Sequence, residues 1–163
     1  MTRIDLRGTW QLEGAGEKVA AQIPGDTHSA LLAAGKIEDP YWGANELDLQ
    51  YLNGQDWVLS RSFEVSADVL AAPSVYLHFD SIDTVATVFV NGQQVGCSDN
   101  MFARCRFSMK EWLREGTNGV EVRVRSAENV AGERVEDSPT RFPDRIIRCS
   151  RRTATWCARC SAM

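Results

Sequence analysis

Apolar and polar positions alternate with a period of two along much of this chain, as they do in strands that bury one face. From Trp57 to Val65 the apolar residues Trp57, Leu59, Phe63 and Val65 share one side, and Arg61 breaks the stripe. Val75, Leu77 and Phe79 lie opposite Tyr76 and His78, and Val120, Val122 and Val124 alternate with Glu121, Arg123 and Arg125. Leu6 to Leu12 reads as a further strand. Thr84–Val90 runs into Asn91-Gly92 and then Gln93–Gly96. Asn-Gly supplies the two positive-φ residues of a type I′ turn, so this segment predicts a hairpin. Strands of this kind suit two antiparallel sheets packed face to face, and the expected fold class is an all-β sandwich.

One or two short helices interrupt the strands. Asp26 or Thr27 can cap the first, Ser29–Ala34 propagates it, and Gly35 can take the left-handed position that ends it. Met109–Arg114 reads as a one-turn piece before Gly116. The stretch 35–56 reads as a long loop containing Asp39-Pro-Tyr-Trp-Gly-Ala-Asn-Glu46, and long loops in compact domains are often functional.

Composition narrows the picture. A length of 163 residues with 44% hydrophobic and 25% charged residues fits one domain of ordinary core size. It is too short for a catalytic β/α barrel of ~250 residues. The net charge of −4 offers no basic surface for a phosphate backbone, so nucleic acid is not an expected partner. No apolar run approaches the ~20 residues of a bilayer helix, so no membrane association is expected. Met1–Leu6 lacks the apolar region of a signal peptide, and the expected location is cytoplasmic. The five cysteines, an odd number, argue against a closed disulfide framework.

The chemistry is sparse. Asp26, His28 and Ser29 resemble a triad in composition only, because neighbours at a helix start do not aim at one another, and capping accounts for Asp26 and Ser29. His78 reads as a structural histidine. Asp80 and Asp83 flank Ser81-Ile82 as turn residues rather than as a carboxylate pair for a metal or for acid-base work, and Cys97 and Cys105, flanking a loop, are expected to be small buried residues. No catalytic residue, metal ligand or cofactor site is assigned. The loop residues Tyr41, Trp42, Asn45 and Glu46 differ in kind. Aromatic faces beside amide and carboxylate groups are what a pyranose site uses, and equally what a loop packed on a neighbouring domain presents.

A family resemblance rests on several segments: Leu6-Arg-Gly-Thr-Trp10, Ile23-Pro-Gly-Asp-Thr-His-Ser-Ala-Leu-Leu32, Asp39–Glu46, Asp83-Thr-Val-Ala-Thr-Val-Phe-Val-Asn-Gly92 and Asp99-Asn-Met-Phe102. Together, over about Leu6 to Ala127, they resemble the amino-terminal domain of β-mannosidases of glycoside hydrolase family 2. The resemblance implies a jelly-roll, galactose-binding-like sandwich belonging to a much longer enzyme that removes terminal non-reducing β-D-mannose residues. Such retaining enzymes use two glutamates with carboxyls about 5–5.5 Å apart, carried on a separate barrel domain. Neither glutamate, nor the family's Trp-Asp-Trp-Gly segment of the mannose pocket, has a counterpart here. The chain alone is therefore expected to be inactive, with a β-mannoside and the missing barrel domain, in cis or in trans, as partners. A stand-alone carbohydrate-binding module is the alternative, and a split enzyme a third reading.

The expected sandwich domain is 1–130, with a non-domain tail at 131–163. From Arg148 onward there are four basic residues and no acidic one, whereas residues 1–147 carry 14 basic against 22 acidic. Cys149, Cys157 and Cys160 also cluster there, one short of a four-ligand zinc site. Family members continue with a segment like Val-Gln-Ser-Pro-His-Arg-Asn-Leu-Val-Arg-Lys-Val-Gln-Cys-His. One legal encoding of Cys149–Met163, read in the adjacent frame, spells that segment. Residues 149–163 are accordingly expected to be an out-of-frame reading.

Overall fold

The computed structural model describes residues 3–136. Its strands are β1 (Gly8–Gly14), β2 (Glu17–Ile23), β3 (Trp57–Val65), β4 (Tyr76–Phe79), β5 (Val85–Val90), β6 (Gln93–Ser98), β7 (Cys105–Ser108) and β8 (Gly116–Arg125). Six form one antiparallel sheet in the order β2-β1-β3-β8-β5-β6, and β4 pairs with β7 in a second. The period-two stripes of the sequence become the inner faces: Trp10, Leu12, Val19, Leu59, Val88, Val90, Val120 and Val122 are all buried in one core with Leu77 and Phe79 of the small sheet. Full burial of such side chains stabilises by about 1.5–3 kcal/mol each, which makes this cluster the main source of stability.

The two sheets close tightly where β6 passes Phe107. A Cβ at Gly96 would lie 2.1 Å from the Phe107 ring, so a side chain there forces the ring away. Phe107 in turn packs at a tilt on Phe79, ring centroids 6.3 Å apart. Arg61, the exception in its stripe, is half-buried and spends its guanidinium on the chain entering β1. Its Nη1 donates to the carbonyls of Leu6 (3.1 Å) and Arg7 (2.8 Å). Trp10 Nε1 donates to the same Leu6 carbonyl at 2.7 Å.

The Asn91-Gly92 hairpin forms, with φ of 50° and 81° at the two residues. Its Asn91 side chain reaches across to β8: Oδ1 accepts from Gly119 N (2.8 Å) and Nδ2 donates to Asn118 Oδ1 (2.8 Å) and Trp112 O (2.7 Å). Asn118, only 1% exposed, completes the network by accepting from Arg114 N and donating to the carbonyls of Arg114 and Gly116.

Helix α1 (Thr27–Ala33) begins at Asp26, whose carboxylate accepts from Ser29 N and Ser29 Oγ, both at 2.8 Å. It ends in a Schellman turn: Gly35 at φ +66° lets Gly35 N reach Leu32 O and Lys36 N reach Leu31 O. Both Asp26 and Ser29 are thus occupied with capping, and His28 belongs to no triad with them.

More helical turns occur than the one or two expected. The loop before β3 holds α2 (Asn45–Asp48) and a 3-10 turn (Gln50–Gly54), and α3 (Ala67–Ala71) lies between β3 and β4. Met109–Arg114 contributes a 3-10 turn at Lys110–Trp112. Helix α4 (Ala127–Glu136) runs across the expected domain edge at residue 130. Ser126 explains it: its Oγ accepts from Asn129 N at 3.1 Å as an N-cap, while Val130 is buried. The segment 149–163, expected to be out of frame, lies outside the described residues.

Candidate functional site

The loop joining α1 to β3 is anchored at both ends on one edge of the sandwich. Lys36, just after α1, pairs with Glu17 at the start of β2 (2.8 Å). The 3-10 turn that closes the loop is held by the start of α4: Ser126 Oγ donates to Asn53 O (2.7 Å), and Asn129 Nδ2 donates to Gly54 O (3.0 Å). Strand register places the Asp99–Phe102 loop at this same end. Val124 pairs with Trp57 and with Ala86, and Ala86 pairs with Ser98, so the residues just beyond these strand ends gather together. An ion pair of 3.6 Å between Arg134 of α4 and Asp99 ties that loop to the helix.

Tyr41 and Trp42 project from this end, 93% and 78% exposed. The backbone beneath them is fixed by the loop itself. Asp39 Oδ1 accepts from Tyr41 N (2.9 Å), and Asp39 O accepts from Trp42 N (3.1 Å) and from Asn45 Nδ2 (2.9 Å). Asn45 Nδ2 also reaches Glu38 Oε2 at 3.4 Å. The Asn45 amide is therefore engaged in shaping the loop, which leaves its Oδ1 to accept from a ligand. Glu46, exposed in the first turn of α2, makes no hydrogen bond or ion pair among the described residues. The four residues stay within one short segment in which Tyr41, Trp42 and Glu46 are exposed and Asn45 is half-buried.

Three neighbours were not singled out from the sequence. Leu47 and Tyr51 are 59% and 57% exposed on the same loop, and Phe102 is 88% exposed on the other. Phe102 repeats the device that presents Tyr41: Asn100 Oδ1 accepts from Phe102 N at 2.9 Å, as Asp39 does from Tyr41 N. An Asp or Asn two residues before an exposed aromatic is the sequence signal for such a turn.

Elsewhere, a shallow groove of about 470 Å³ crosses the outer face of the large sheet, lined by Thr9, Gln11, Ala20, Ser60 and Ser62 among others. Asp80 lies 3.8 Å from Arg104, and Ser81 Oγ donates to Met101 O, so the Asp80–Asp83 turn is stitched to the Asp99–Phe102 loop. Among the described residues no group of three His, Cys, Asp or Glu is arranged to hold a metal, and no helix is long and apolar enough to cross a membrane. Among the described residues, Cys97 is exposed, Cys105 is buried, and neither is in a disulfide.

Residues 10–161 match the glycosyl hydrolase 2 galactose-binding domain-like family. The chain belongs to that family. Over 135 residues it is 36% identical to the beta-mannosidase of Bos taurus, and over 138 residues 32% identical to a probable beta-mannosidase of Caenorhabditis elegans. These alignments take in 82% and 83% of this chain but only 15% of either relative. In three dimensions it is similar to the beta-D-mannosidase of Dictyoglomus thermophilum, with a TM-score of 0.83 and 36% identity over 86% of this chain and 18% of that one. The jelly-roll, galactose-binding-like sandwich expected from the resemblance is the fold found. The chain corresponds to the amino-terminal domain of glycoside hydrolase family 2 β-mannosidases, and their catalytic domain has no counterpart in these 163 residues.

Proposed function

We propose that this chain is the non-catalytic amino-terminal sandwich of a retaining glycosidase acting on terminal non-reducing β-D-mannose residues, and that it does not hydrolyse glycosides by itself. The observation that carries the reading is the lopsided match: 82–83% of this chain falls within 15% of each β-mannosidase. Without a paired acid/base and nucleophile there is no means of protonating a leaving group or forming a glycosyl-enzyme intermediate. Tyr41, Trp42, Asn45 and Glu46 then form part of the face that meets the catalytic domain. Leu47, Tyr51 and Phe102 extend that face with further apolar surface, at the end of the sandwich where α4 leaves β8. A cytoplasmic location belongs to the same reading, and the odd number of five cysteines supports it.

The out-of-frame origin of residues 149–163 belongs to this proposal, although the family match itself extends to residue 161. Sequencing the coding DNA from Phe142 through several hundred bases beyond Met163 tests it. A single-base change that restores a Trp-Asp-Trp-Gly frame is expected. An unbroken stop with no downstream barrel contradicts it, and favours the second reading, a stand-alone carbohydrate-binding module. The hydroxyl- and amide-lined groove at Thr9, Gln11, Ser60 and Ser62 supports that second reading, since such groups recognise sugar hydroxyls. Mannose titration of the wild type, Trp42→Ala and Gln11→Ala separates a loop site from a groove site.

A further inference from the structure

The chain holds three Asn-Gly pairs, Asn53-Gly54, Asn91-Gly92 and Asn118-Gly119, each a candidate for spontaneous deamidation because glycine leaves the following backbone nitrogen unhindered. The fold treats them very differently. Asn118 is 1% exposed, with both ends of its amide hydrogen-bonded. Asn91 has its Oδ1 held by Gly119 N and its Nδ2 by Trp112 O and Asn118 Oδ1. For either, the amide carbon is reached only after this shared network opens. Asn53 is half-buried and its carboxamide makes no hydrogen bond among the described residues. It sits near the end of a 3-10 turn of five residues that α4 holds by the main-chain carbonyls of Asn53 and Gly54, not by the Asn53 carboxamide, and nothing lies within 4 Å of a Cβ position at Gly54.

We infer that Asn53 is the site at which the folded protein deamidates and forms isoaspartate. Once the turn opens, Gly54 N loses its proton to hydroxide and attacks Asn53 Cγ. The new N–Cγ bond closes a succinimide as the Cγ–Nδ2 bond breaks and ammonia leaves with the proton. Water then adds to one of the two ring carbonyls, giving aspartate or isoaspartate, with no change in oxidation state. Either product adds a negative charge close to Asp56, whose Oδ1 already accepts from Ser126 N at 2.7 Å. The isoaspartyl form also routes the main chain through the former side chain, which displaces the Asn53 carbonyl from Ser126 Oγ. One modification therefore acts on the contacts that hold α4 to the aromatic loop.

The 163-residue protein, incubated folded at mildly alkaline pH, is cut with trypsin and its isoaspartate labelled with isoaspartyl methyltransferase. The three pairs separate cleanly, into peptides 37–61, 62–104 and 115–123. Label is expected in 37–61 at about a hundredfold over the other two, because the Asn91 and Asn118 carboxamides must give up several hydrogen bonds before they can react and the Asn53 carboxamide gives up none. In urea the three sites should converge, and Gly54→Ala, which the open space at Gly54 accommodates, should suppress label in 37–61 while the protein stays folded. Comparable labelling of 62–104 or 115–123 in the folded protein overturns the assignment. So does a 37–61 peptide that labels only in urea.

Discussion

Replacing Asn118 by alanine removes the centre of the polar network that joins the β5–β6 hairpin to β8. The side chain is 1% exposed and makes four hydrogen bonds, to Asn91 Nδ2, Arg114 N, Arg114 O and Gly116 O, at 2.7–2.9 Å. Each such bond contributes about 1 kcal/mol net, and a buried group left without a partner costs about 1–3 kcal/mol. Asn91 Nδ2 keeps Trp112 O, and the exposed Arg114 recovers some hydration, so the total should be about 3 kcal/mol. For a domain of this size that corresponds to a fall of about 10 °C in Tm. Urea unfolding followed by tryptophan fluorescence should show a lower midpoint with an unchanged slope. Asn118→Asp distinguishes hydrogen bonding from packing, because it conserves shape but loses both donors and sets a carboxylate against two carbonyls. Its penalty should shrink at acid pH, where the protonated carboxyl can donate again. A loss below about 1 kcal/mol for the alanine variant, or an aspartate variant indifferent to pH, refutes the reasoning.

The other expectations concern packing, charge and the loop. Gly96→Ala should destabilise by about 1–3 kcal/mol through overpacking against Phe107, measured by the same unfolding curves; a neutral result shows that the ring moves freely. Asp5 is held down to about 2 from its ordinary 3.8, chiefly because the Arg7 guanidinium and then the Arg7 amide donate to its carboxylate. Its stabilising contribution is thus present above about 3.8 and lost as the pH falls toward 2, and carboxyl NMR titration should show Arg7→Ala moving Asp5 back up. Tyr41→Ala and Trp42→Ala should leave Tm within about 1 °C, since both side chains stand in solvent; a large drop places them in the core of the loop.

Six of the eight described strands were legible because one buried face imposes a period of two that little else in a sequence imitates, whereas β2 and β7 were not read as strands. Even the exception was informative: Arg61 breaks its stripe because its guanidinium serves the carbonyls of Leu6 and Arg7, a contact 55 residues distant in sequence. Asn91-Gly92 and the Asp26 to Gly35 helix signals are local, and they correspond directly to the turn and caps observed. Helix α4 was not expected at all, because its start depends on Ser126, which is fixed by Asp56 and Asn53 some 70 residues away. At the candidate site, the aromatic residues of the loop were visible. Their grouping with Phe102 was not, because it arises from the register of β5, β6 and β8 rather than from any one segment.

The most direct test of the central claim is to assay the purified, folded 163-residue chain on an aryl β-D-mannoside. A cooperative unfolding transition is expected, together with no aglycone release above the uncatalysed rate. Turnover by the folded chain that co-purifies with it and disappears on its unfolding contradicts the assignment as a non-catalytic domain.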